Sequence, residues 1–165
     1  MQPGQIVLLD TNILIETFRA RCFKALAAYY RLETVEKCYE EALTGDRLRS
    51  GYVEVDPAVL KEKIIVNRVA SMELAALALT CPAADALDAG ERHLFAHAHS
   101  RAVSWVVACA DRAAMRVALK LGWEGRCRSL EVLLGPTGAK PELRRHFTER
   151  WLSQVRTEYI LGGLS

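Results

Sequence analysis

Gln5-Ile6-Val7-Leu8-Leu9-Asp10-Thr11-Asn12-Ile13-Leu14-Ile15 is the stretch that decides the fold. Residues 6 to 9 are all apolar and run straight into a carboxylate. A short apolar run bounded by polar residues reads as a strand buried on both faces, the kind found in parallel sheets. Asp10 then falls where the strand ends, and in open α/β sheets ligands bind outside the carboxyl ends of the strands. A carboxylate held there, poorly hydrated, calls for a cationic partner, which points to a metal or phosphate site.

A second run of the same kind, residues 103–109, contains Val103 and the pair Val106-Val107, separated by Ser104-Trp105, and leads through Ala110 to Asp111. A helix over 112–121, closed by Gly122, follows. Between the two strands, residues 12–20 read as a helix. A second helical region holds Leu26, Ala27 and Tyr30, then Val35, Cys38, Tyr39, Ala42 and Leu43, with Thr34 as N-cap and Gly45 as stop. Residues 52–56 alternate like a strand, and Pro57 starts a helix. Residues 59–79 keep a 3.6-residue period through Leu60, Ile64, Val69, Met72 and Leu77, which predicts one long helix or two, broken at Cys81-Pro82. Asp88-Ala89-Gly90 opens a helix from 91 to about 99, with Asp88 as its cap. Residues 126–134 predict a short strand and a short helix stopped at Gly135-Pro136. Residues 141–160 predict a polar helical tail that docks one face through Leu143, Phe147, Trp151, Leu152 and Val155. The alternation predicts a single α/β domain over 1–165, a three-layer α/β/α sandwich on a central, mostly parallel sheet.

The bulk properties agree with one globular domain. The chain has 165 residues, 51% apolar and 25% charged, with a net charge of +2. That balance is too slight to announce a nucleic-acid binder, although local patches decide such binding. The five cysteines are odd in number and none has C-x-x-C spacing, so they read as reduced core thiols of a cytoplasmic protein. The N-terminal run is too short for a signal peptide, and Glu73, Pro82 and Asp85 interrupt the only other long apolar segment, so no membrane span is expected.

Asp10 and Asp111 sit at two strand-to-helix junctions and therefore emerge at one sheet edge if both strands are central and parallel. Glu91 starts a helix just after Gly90, which permits close approach to the sheet. Glu41 lies on the helix following the first unit. Like charges brought this close need a counter-cation. Hard oxygen ligands select Mg²⁺ or Mn²⁺, and such ions serve in-line displacement at phosphorus. Each acid also has a plainer reading. Asp10 and Asp111 can be N-caps, and Glu41 can be a solvated helix residue. His93, His97 and His99 share one helix, but nothing completes a zinc set.

These places in order resemble the PIN domain family, nucleases related to the PilT N-terminus and found among toxin–antitoxin pairs. The resemblance rests on Val7-Leu8-Leu9-Asp10-Thr11-Asn12, Glu41-Ala42-Leu43-Thr44-Gly45, Gly90-Glu91 followed by Ala96 and Ala98, and 109–118, which opens Cys109-Ala110-Asp111-Arg112, and it spans roughly residues 5 to 134. It implies a metal-dependent endoribonuclease in which Asp10, Glu91 and Asp111 hold Mg²⁺ or Mn²⁺ and Glu41 is a further catalytic acid. Glu36 and Glu40 compete for Glu41's place; the spacing to Gly45 selects Glu41. RNA is the implied substrate and a small antitoxin protein an implied partner; a homodimer is expected. Thr11 and Asn12 are candidates to bind a carboxylate or a substrate phosphate. Arg112 and Arg116, on the helix after Asp111, are candidates to steer the backbone, and Arg144, Arg145, Arg150 and Arg156 could extend that path. The chain departs from the family where Ala113 and Ala114 stand in place of a further acid, which keeps a non-catalytic binding module as an alternative. A phosphatase with an Asp nucleophile after the first strand fits less well, because Asn12 occupies the position where a second Asp is needed.

Overall fold

The computed structural model describes residues 1–44 and 53–162. Five strands form one all-parallel sheet: β1 (Ile6–Leu8), β2 (Arg31–Val35), β3 (Ile65–Asn67), β4 (Trp105–Ala108) and β5 (Cys127–Arg128), in the order β3-β2-β1-β4-β5. The central strand β1 pairs Val7 with Leu32 on one side and with Val106 on the other. The chain winds outward from β1 to β3, then returns to β4 beside β1 and winds outward again to β5. The winding reverses between β1 and β4, and a crevice opens at such a reversal beyond the strand ends.

Nine α-helices are described: α1 (Thr11–Arg19), α2 (Phe23–Tyr29), α3 (Glu36–Leu43), α4 (Pro57–Lys63), α5 (Ser71–Thr80), α6 (Ala89–Ser100), α7 (Arg112–Lys120), α8 (Leu130–Leu134) and α9 (Glu149–Gly162). They cover both faces of the sheet. Strand side chains alternate between two cores, as period-two geometry requires. Leu8, Trp105 and Val107 enter one core with side chains of α5, α6, α7 and α9. Val7, Leu9, Val106 and Ala108 enter the other with α1, α2, α4 and α8. The three-layer α/β/α architecture is therefore as the sequence predicts, with every described strand pairing parallel. Among the described residues no helix is long and apolar enough to cross a membrane. All five cysteines are free and buried.

Three local readings are corrected. Thr34 is not a helix cap but part of β2, where its hydroxyl donates to the Leu9 carbonyl at 2.7 Å; Val35 is the residue that precedes α3. The helical period over 59–79 is broken by β3, so α4 ends at Lys63 and α5 starts at Ser71. The strand expected over 52–56 is absent at 53–56, where Asp56 instead caps α4 through Ala58 N and Val59 N. Tyr52 and Gly45 lie outside the described residues.

The strand β2 carries a charge that hid it. Glu33 is only 1% exposed, yet it sits mid-strand because cations reach it. Arg101 Nη1, from just past α6, donates to Oε2 at 2.6 Å, Arg31 Nε lies 3.0 Å from Oε1, and Asn67 Nδ2 donates to Oε2 at 3.1 Å.

Candidate functional site

Beyond the ends of β1 and β4 the chain places a set of carboxylates, each positioned by the helix it begins. Asp10 follows β1 and caps α1, its Oδ1 accepting from Ile13 N at 2.7 Å. Asp111 follows β4 and caps α7, its Oδ1 accepting from Ala113 N at 2.6 Å and Ala114 N at 3.0 Å. Asp88 caps α6, its Oδ1 accepting from Glu91 N at 2.8 Å, and Glu91 lies in that helix's first turn. Helix N-termini tolerate anions because unpaired N–H groups and the helix dipole point at them. Three such ends lie at the same edge of the sheet, and each aspartate is held there by the cap it makes.

Asp10 and Glu91 are each 5% exposed. Burial pushes the Asp10 carboxyl up to about 7, with the charges of Asp88 and Asp111 adding to it and the Ile13 N–H opposing it. Burial pushes Glu91 up to about 8, reinforced by Asp111, Asp88 and Asp10. Four acids from three chain segments thus act on one another through space.

Glu41 lies at the margin of this group. Its Oε2 accepts from Thr11 Oγ1 at 2.9 Å, and Lys37 Nζ stands 3.9 Å from Oε1. Glu36 and Glu40 are exposed, so of the three candidates on α3 only Glu41 faces the site. Gly90 makes the packing possible. A Cβ there would lie 2.6 Å from Glu41 Oε2 and 3.2 Å from both Cys38 Sγ and Thr11 Oγ1.

The remaining predicted residues fall less centrally. Thr11 is committed to Glu41, and Asn12 is exposed beside it. Arg112 is paired with Glu158 of α9, Nη1 donating to Oε2 at 2.7 Å. Arg116 lies over the Tyr159 ring, 5.2 Å from its centroid. The α6 histidines are spoken for locally. His93 Nδ1 is 2.7 Å from Ala89 O, and His97 Nε2 is 2.7 Å from Arg101 Nη1, so the histidines do not gather into a metal set. Among the described residues no three His, Cys, Asp or Glu side chains stand close enough to hold one ion in this arrangement. Asp88 is the acid that sequence reasoning treated only as a cap. Its place at the helix start, within one turn of Glu91, is the signal that it shares the site.

Set against protein-family models, curated proteins and solved structures, the chain matches none of them.

Proposed function

We propose that this chain is a divalent-metal-dependent ribonuclease with a PIN-type acidic site, hydrolysing phosphodiester bonds of RNA. The observation that carries the reading is the pair Asp10 and Glu91, both buried at the switch point of the sheet, with Asp88 and Asp111 acting on them. Buried carboxylates raised this far are stabilised either by a proton or by a cation. All the donors are carboxylate oxygens, which suit Mg²⁺ or Mn²⁺ rather than zinc. Asp10, Glu91 and Asp111 would hold the ion. In the three aspartates the capping bonds go to Oδ1, which leaves Oδ2 available as a ligand. When bound, the ion supplies charge neutralisation at the scissile phosphate and a water activated near neutral pH.

The chain's own residues supply position. The α1, α6 and α7 N-termini bring their acids to one edge of the sheet, and Thr11 hydrogen-bonds Glu41 as a further acid beside them. Glu91, protonated near neutral pH in the absence of a cation, can also hold or release a proton at the crevice. In this reading the protein works in the cytoplasm as the toxin of a toxin–antitoxin pair, as a homodimer with a small antitoxin as partner.

Asp10→Asn keeps the cap but removes the charge. It abolishes Mn²⁺-dependent cleavage of a structured RNA while leaving the circular dichroism spectrum unchanged. Undiminished cleavage by this variant refutes the assignment. A second reading, a PIN-like binding module without turnover, is favoured by the absence of three ready-placed ligands among the described residues. Calorimetric titration with Mn²⁺ separates the two, since the binding module gives no heat.

A further inference from the structure

The helix α9 lies along the same edge of the sheet as the acids. Ser129 follows β5 directly, and its hydroxyl donates to Glu149 Oε2 at 2.8 Å, which fixes the first turn of α9 beyond the end of β5. In its last turns Glu158 takes Arg112, the residue after Asp111, which fixes that part beyond the end of β4. The helix therefore runs beside the crevice. Its Leu152 and Val155 are buried in the core below.

The outward flank of the helix start carries a groove of about 300 Å³ lined by Arg145, Thr148, Arg150, Trp151 and Gln154, with Trp151 also packed against the core. Arg145 and Arg150 are exposed, and neither makes an ion pair among the described residues. Trp151 is half-buried, its indole held from one side by His146 at 6.4 Å between centroids. From the groove a continuous row leads to the acids. Arg150, Gln154 and Glu158 are four apart on one helix face. Gln154 Nε2 donates to Glu158 Oε1 at 2.8 Å, Glu158 holds Arg112, and Arg112 adjoins Asp111. From Trp151 to Glu158 the helix rises about 10 Å at ~1.5 Å per residue.

We propose that this groove is a binding site for single-stranded RNA, in which Arg145 and Arg150 hold phosphates and Trp151 stacks one base, away from the scissile bond. The identity of the polymer rests on the nuclease reading; the groove itself does not. Unpaired guanidiniums beside a half-exposed indole combine the two elements of single-strand recognition, charge for the backbone and a π-face for the base. An acidic peptide fits the two arginines but offers no flat base to stack on the Trp151 ring. On nucleic acid, Glu158 is displaced from Arg112 by a phosphate, which adds a third cationic contact nearest the acids.

The test measures binding of a labelled single-stranded RNA of about ten nucleotides to the full chain by fluorescence anisotropy, in chelator so that no cleavage intervenes. Arg145→Ala combined with Arg150→Ala weakens binding roughly 10- to 50-fold and lowers the salt slope by about one to two. Trp151→Leu weakens it roughly tenfold and Trp151→Phe far less, because the ring and not the indole nitrogen does the stacking. Lys24→Ala, an exposed cation of α2, serves as control and changes little. RNA also quenches the tryptophan emission of the wild type, a change lost in Trp151→Phe, since Trp105 and Trp123 are buried. The inference is overturned if wild type does not bind the RNA, if the double arginine variant binds within twofold of wild type, or if poly-glutamate binds as tightly through the same arginines. Groove-dependent binding without Mn²⁺-dependent cleavage would defeat the nuclease reading and leave the groove standing. Cleavage with groove-independent binding would do the reverse.

Discussion

Gly90 and Glu41 are in close contact: a Cβ on Gly90 would meet Glu41 Oε2 at 2.6 Å, so the Glu41 carboxylate must give way to admit it. Replacing a helical glycine by alanine ordinarily stabilises a protein by about 0.4–1 kcal/mol through the unfolded chain. Here that gain is opposed: Gly90→Ala must push the Glu41 carboxylate off Thr11, with Cys38 Sγ and Thr11 Oγ1 each 3.2 Å from the new Cβ, so urea unfolding is expected to show no gain in stability and a loss of at most about 1 kcal/mol. Combining it with Glu41→Ala removes the tightest contact, so the two substitutions are less costly together than their sum. Additive costs would show that α6 does not rest on Glu41.

Asp10 and Glu91 make stability depend on pH in an unusual direction. Between 3.8 and about 7 the folded chain holds a proton on Asp10 that the unfolded chain has released, and between 4.5 and about 8 the same is true of Glu91. The folded state binds more protons there, so without a divalent ion the contribution of this pair falls as pH rises through that window and is level above it. Asp10→Asn should therefore be more stable than wild type by about 1–3 kcal/mol at pH 8, with the difference vanishing near pH 4. Thermal melts of both proteins across the range, in chelator, read this directly. A difference that stays constant with pH would mean that Asp10 is not held against its charge.

Arg101 guards the most deeply buried carboxylate of the sheet. Removing it leaves Glu33, 1% exposed, with Asn67 and the half-exposed Arg31 as its remaining close partners. Breaking a buried pair on one side costs about 3–5 kcal/mol, whereas replacing both members by apolar groups is often neutral. Arg101→Met alone is expected to lower the urea midpoint sharply, and Glu33→Met added to it should restore most of the loss. If the double variant is the worse of the two, the pair itself stabilises the fold.

That buried glutamate also explains what was legible in the sequence. The strands β1 and β4 announce themselves because they lie at the centre of the sheet and are apolar on both faces. β2 lies just as near the centre, but it carries Arg31 and Glu33, and the buried Glu33 is tolerable because Arg101, 68 residues away, reaches it together with Asn67 and Arg31. β3 is a three-residue edge strand, with Ile65 and Val66 exposed, so burial leaves no pattern in it. Of the site, Asp10 and Asp111 could be found because a strand end followed by a helix start is a local signal, and Glu91 because Asp88-Ala89-Gly90 marks a helix start. The engagement of Arg112 and Arg116 by α9 could not, because a charged stripe on a helix looks solvated until a distant helix packs against it. Asp88 sat between the two cases, visible as a cap and concealed as a charge.

Divalent-ion binding gives the sharpest test of the acids as a unit, because it must displace the protons that Asp10 and Glu91 retain. At pH 6.5, below the values of about 7 and about 8, both groups are mainly protonated in the ion-free protein. Ligation needs the deprotonated forms. Mn²⁺ is therefore expected to release between about one and two protons per ion at pH 6.5 and almost none at pH 9. Its apparent affinity should climb with pH and level off above about 8. Titration calorimetry at each pH, in two buffers of different ionisation enthalpy, counts the protons. Asp10→Asn or Glu91→Gln should each remove one of them and weaken binding by at least tenfold. Binding that releases no protons at pH 6.5 would place the ion away from Asp10 and Glu91, and would remove the physical basis for treating the four acids as one centre.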